Sequence, residues 1–129
     1  MDKKRIISLV VIILFIVGFL IFHFLKSEVQ PQFVEGEELL EVIILGPDNN
    51  PIQNIEVDLW VANNPNGPPT AGYAITNNEG KSIFKIPEGN YLISFNGYNF
   101  PKEFTLPDKT FVNVKKGENQ ETIILEINN

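Results

Sequence analysis

The stretch Thr76-Asn-Asn-Glu-Gly-Lys-Ser-Ile-Phe-Lys-Ile-Pro-Glu-Gly-Asn-Tyr-Leu-Ile-Ser-Phe95 decides the fold. Asn77 to Gly80 is a turn, because Asn and Gly accept positive φ at little cost. Ser82, Phe84 and Ile86 then alternate with Lys81, Ile83 and Lys85, the period of a half-buried strand. Pro87-Glu88-Gly89 is a second turn. Tyr91, Ile93 and Phe95 alternate with Leu92 and Ser94 in the next strand. The pattern predicts a hairpin that turns one apolar face to a core.

Working outward, the same grammar repeats. Leu39 to Leu45 reads as the first strand, with Leu40, Val42 and Ile44 on one face. Asp48-Asn49-Asn50-Pro51 turns the chain, and Ile55, Val57 and Leu59 form the inward face of a second strand with Glu56 and Asp58 outward. Asn63 to Pro69 holds three prolines and a glycine and reads as a surface loop. Ala71 to Thr76 is a short strand with Tyr73 and Ile75 on one face. Asn96 to Pro101 is an aromatic-bearing loop. Phe104 to Leu106 and Thr110 to Val114 are short strands, Lys115 to Asn119 a turn, and Gln120 to Ile127 a closing strand with Ile123, Leu125 and Ile127 inward. Seven to eight short strands at this spacing predict an all-β, two-sheet Greek-key sandwich.

The residues of the opening stretch also resemble a known family. A turn ending in Gly80, Phe84 four residues on, then Pro87-x-Gly89-x-Tyr91 is similar to the transthyretin-like (prealbumin-like) β-sandwich modules. These include carboxypeptidase regulatory-like domains and the B-type repeats of bacterial surface adhesins. Val42-Ile43-Ile44 followed by Asp48 to Leu59 looks like the first hairpin of those modules, with Asn54 where they usually carry Gly. The resemblance covers Leu39 to Asn128 and implies a fold, not an activity. It also implies a test: the adhesin modules often join a first-strand Lys to a late Asn or Asp by an isopeptide. No lysine lies in Leu39–Leu45, and Asn128 and Asn129 have no evident partner, so no such bond is expected.

The N-terminal quarter is different in kind. Met1-Asp-Lys-Lys-Arg5 is a basic head, and Ile6 to Leu25 is a run of 20 residues broken only by Ser8, Gly18 and His23. About 20 residues at roughly 1.5 Å each cross a hydrocarbon layer of about 30 Å. The run is too long for a signal-peptide core of about 7–15 residues, and no small-x-small cleavage site follows. It predicts an uncleaved signal anchor. Three basic residues before it and Lys26 after it put the N-terminus in the cytoplasm and the rest outside, as a single-pass protein of the cell membrane. Residues 26–38 then form a tether that reaches about 40 Å at full extension and about 20 Å as a coil. Residues 39–129 form the sandwich.

Charge and residue inventory exclude several functions. From Lys26 onward there are 7 Lys against 15 Asp plus Glu, giving 7 − 15 = −8. Such a domain repels nucleic acid and anionic headgroups. With no cysteine, and His23 as the only histidine within the apolar run, no Cys-His or Ser-His-Asp site and no zinc-thiolate site can form outside. No catalytic residue, metal or cofactor is expected, and the chain reads as no enzyme. Asp48-Asn49-Asn50 and Asn77-Asn78-Glu79 offer oxygen ligands on loops, yet read more simply as turn residues.

What remains is recognition. Trp60, Tyr73, Tyr98 and Phe100 are the candidate binding residues. They read either as a platform for sugar rings or as core and rim packing. The leading expectation is a non-catalytic interaction or structural module in a cell-envelope assembly, with a protein partner. The alternative is a carbohydrate-binding module facing polysaccharide. Exposure of Trp60, Tyr98 and Phe100 on one surface discriminates the two.

Overall fold

A computed structural model describes residues 34–128. The basic head, the expected span over Ile6–Leu25 and most of the tether lie outside the described residues. Among the described residues, no helix is long and apolar enough to cross a membrane.

Among the described residues, seven strands form two sheets: β1 (Glu38–Leu45), β2 (Glu56–Val61), β3 (Gly72–Ile75), β4 (Lys81–Ile86), β5 (Gly89–Phe95), β6 (Thr110–Val114) and β7 (Glu118–Ile124). One sheet has the order β4-β1-β7 and the other β3-β2-β5-β6. All pairs are antiparallel except β1 with β7, which run parallel from Leu39↔Glu118 to Leu45↔Ile124. The core lies between the sheets. Leu40, Val42 and Ile44 of β1, and Phe84 and Ile86 of β4, meet Val57 and Leu59 of β2 and Tyr91, Ile93 and Phe95 of β5. The expected all-β, two-sheet sandwich is therefore present.

The hairpin expected at Thr76–Phe95 is not. β4 pairs with β1, while β5 pairs with β2 and β6. The link Pro87-Glu88 carries the chain from one sheet to the other, so the two strands face each other across the core. Alternation marks which side chains turn inward, but a hairpin and an arch place the same side chains inward. The link also lacks the Asn-Gly or Asp-Gly pair that a two-residue hairpin favours. Instead, the Tyr91 hydroxyl donates to the Pro87 carbonyl oxygen at 2.8 Å and ties the arch together. The first expected hairpin is likewise a crossover, since β1 and β2 lie in different sheets. Asn54, in the Gly-like position, adopts φ 62°, as does Asn49 at φ 59°.

The C-terminal strand ends early. Alternation predicts Ile127 inward, yet it is 61% exposed. Leu125 is the last buried residue, because only Leu125 N still reaches Leu45 O (2.7 Å). The expected strand Phe104–Leu106 is reduced to a single bridge, Phe104↔Ile127, beside the bond from Thr105 N to Glu126 O. Pro101 and Pro107 flank this segment and leave little ladder to extend. At the other end, β1 begins at Glu38, and Gly36 N already donates to Lys85 O.

Candidate binding surfaces

The outer face of the four-stranded sheet carries most of the candidate chemistry. Strand parity places Glu56, Asp58 and Trp60 of β2 on it, and register fixes their neighbours. Asp58 stands between Tyr73 on β3 and Ser94 on β5. Trp60 stands beside Leu92, which stands beside Phe111 on β6. Alternation predicts that these side chains point to solvent. Yet Trp60 is only 8% exposed and Asp58 only 6%.

Trp60 is covered from two sides. Its Nε1–H donates to the Gly67 carbonyl oxygen at 3.3 Å, and Lys109 Nζ lies 5.3 Å from the ring centroid. That cation meets the electron-rich ring face. Val61 N also donates to Thr70 Oγ1 at 2.9 Å, holding the far end of the proline-rich loop against β2. The loop 62–70 is thus a lid on the sheet face.

The four predicted aromatics do not gather into one platform. Tyr73 is exposed on the same face as Trp60. Tyr98 is fully exposed at the tip of the Asn96–Pro101 loop. Phe100 turns inward, its ring 5.3 Å from that of Phe95 in an edge-to-face contact, and packs on the core. Sequence reasoning missed Phe111, an exposed ring on the outer face beside Leu92. Its odd position in β6, opposite in parity to Val112 and Val114, is the signal that marks it.

The Asn96–Pro101 loop is anchored by a carboxylate. Asn96 Nδ2 donates to Glu56 Oε1 at 3.2 Å and Asn99 Nδ2 to Glu56 Oε2 at 2.7 Å. Within the loop, Tyr98 N donates to Asn96 Oδ1 and Phe100 N to Asn96 O. Beside Glu56, Oδ1 of Asp58 is buried and finds no donor. Burial, aided by the charge of Glu56, pushes the Asp58 carboxyl up to about 6. No sequence signal separates Asp58 from an ordinary outward-facing acid.

The turn clusters serve the backbone. Asn77 Oδ1 accepts from Glu79 N and Lys81 N at 2.9 and 3.0 Å, which is the Asx-turn role of that residue. Among the described residues, no three carboxylates, histidines or cysteines are grouped to hold a metal. A shallow cleft of about 380 Å³ lies between Leu106, Pro107 and Ile124, rimmed by Asp108 and Glu126.

No family model and no curated protein matches the chain. Solved structures do match in fold. The minor pilin GBS52 of Streptococcus agalactiae superposes with a TM-score of 0.61 at 14% identity, over 74% of this chain and 47% of that one. BcpA, the major pilin subunit of Bacillus cereus, gives 0.58 at 15% identity, over 72% and 31%. The Bacillus anthracis TIE protein gives 0.56 at 16% identity, over 70% and 16%. This chain therefore spans less than half the length of each of these three structures, and the likeness is one of fold.

Proposed function

We propose that this chain is a membrane-anchored, non-catalytic structural or interaction module on the outer face of the cell membrane, working within a cell-envelope assembly. The observation that carries this reading is the two-sheet sandwich shared with pilin subunits over 72–74% of the chain. The basic head, the apolar run Ile6–Leu25 and the short tether supply the anchor and put the N-terminus in the cytoplasm. The acidic sandwich then sits close to the outer surface. It is of the transthyretin-like kind, a reading supported by Asn54 in the left-handed region and by the Pro87-to-Tyr91 bond across the arch. A protein partner is met by the Asn63–Pro69 and Asn96–Pro101 loops or by strand addition at an open edge.

The carbohydrate reading loses its platform. It needed Trp60, Tyr98 and Phe100 open on one surface, and only Tyr98 is open.

Crosslinking and co-purification of the tagged full-length chain from its native membranes tests the proposal. The expected result is a stoichiometric protein partner identified by mass spectrometry. Recovery of the chain alone, together with saturable binding of polysaccharide by the outer domain, would overturn it.

A further inference from the structure

We propose that Glu56 and Asp58 form a carboxyl pair that shares one proton, held on Asp58, and that this pair is a pH-sensitive latch for the Asn96–Pro101 loop. The two residues are neighbours on one face of β2, at i and i+2. Their surroundings differ in a way that decides where the proton sits. Each oxygen of Glu56 already accepts an amide N–H, from Asn96 at 3.2 Å and from Asn99 at 2.7 Å. Oδ1 of Asp58 accepts none and is buried, which favours the acid form. A protonated Asp58 donates to Glu56, so the pair carries one negative charge and no orphan oxygen.

The cross-strand neighbours of Asp58 add no charged side chain. β3 contributes Tyr73 and β5 the uncharged Ser94. The loop contributes only asparagine amides, and Lys109 is committed to the face of Trp60. When the Asp58 O–H bond ionises, its proton passes to water and two carboxylates face each other on a partly dry surface. Asp58 is fixed by burial. Glu56 is the more exposed partner and moves, and both amide bonds that hold the loop go with it. The loop carries Tyr98, the most exposed aromatic ring of the described residues, so acid closes the latch and neutral pH opens it.

NMR titration of the full-length chain in detergent micelles tests this directly. The Asp58 carboxyl carbon should titrate well above the ordinary aspartate range, and the side-chain amides of Asn96 and Asn99 should move with the same midpoint. Hydrogen exchange in the loop, corrected for its intrinsic pH dependence, should be about five- to ten-fold faster near pH 7.5 than near pH 5, the change that a pKa difference of about one to two units produces between those two values. Asp58→Asn should abolish that change and hold the loop closed at both values. An Asp58 midpoint below about 4.5, or loop amides silent while Asp58 titrates, would overturn the latch. So would a loop in the unmodified chain that millimolar calcium closes near pH 7.5, since a cation would then be filling the site. The titration of the unmodified chain decides the matter even if the variant fails to fold.

Discussion

At the scale of single residues, stability is concentrated in a few buried groups. Phe84 and Tyr91 lie on the two sides of the arch, in opposite sheets, and both are buried in the core. Truncating either to Ala should cost about 3–5 kcal/mol in chemical denaturation, as buried aromatic truncations do. Tyr91→Phe should cost only about 1 kcal/mol, the net worth of the bond to Pro87. Thr76 is a less visible case. Its Oγ1 accepts from Ile55 N at 2.9 Å and donates to Ile52 O at 2.8 Å, joining the end of β3 to the β1–β2 crossover. Thr76→Val keeps the shape and strands both partners, so it should cost about 2–4 kcal/mol, while Thr76→Ser should cost about 1. The sequence shows Thr76 only as the last residue of a short strand, because both partners lie more than 20 residues away.

Asp58 adds a pH dependence whose sign follows from its position. Its folded-state pKa, about 6, lies above the unfolded value of 3.8. Below about pH 4 both states hold the proton and the group costs nothing. Between 3.8 and about 6 the unfolded chain gives up this proton while the folded chain keeps it, so stability falls as pH rises through that range and levels off above it. From the size of the shift, the loss between about pH 4 and pH 7.5 is roughly 2–3 kcal/mol. Melting curves across that window should show it, superposed on the opposite trend of ordinary surface acids, and Asp58→Asn should remove this component alone.

At the scale of elements, the sequence specified faces better than neighbours. The alternation in β1, β2, β4 and β5 identified their inward residues, because a period of two is a local property of the chain. It did not identify which strand lies beside which. The arch at Pro87-Glu88 and the crossover at Asp48–Asn54 look like hairpins in sequence, since both motifs reverse the chain within a few residues. The burial of Trp60 and Asp58 was illegible for a related reason: the covering atoms come from the 62–70 loop, from Lys109 and from strands distant in sequence. Gly80 is the element-scale test. It closes the β3–β4 turn at φ 72°, and a Cβ there would lie 2.5 Å from the Ile44 carbonyl oxygen at the end of β1. Gly80→Ala therefore meets both strain and a backbone clash, and should cost about 2–4 kcal/mol. A loss under about 1 kcal/mol would mean that the turn is not pressed against β1.

At the scale of the whole molecule, the described residues form an acidic two-sheet sandwich, proposed to be a non-catalytic module behind a membrane anchor. Composition made the acidity and the lack of cysteine legible, since both are counts. The candidate site was legible only in part: Trp60 and Tyr73 do share a face, but Phe100 turns into the core and Phe111 takes an outer place that was not foreseen. The functional reading leans on the sandwich, and the sandwich leans on its topology, above all on β1 lying between β4 and β7. Cross-strand backbone contacts measured by NMR on the outer domain test that most directly. The account predicts contacts of the parallel type between Ile43 and Thr122 and of the antiparallel type between Leu40 and Phe84. A ladder joining Phe84 to Tyr91 and Ile86 to Gly89 would instead show a hairpin at Pro87-Glu88 and would contradict it.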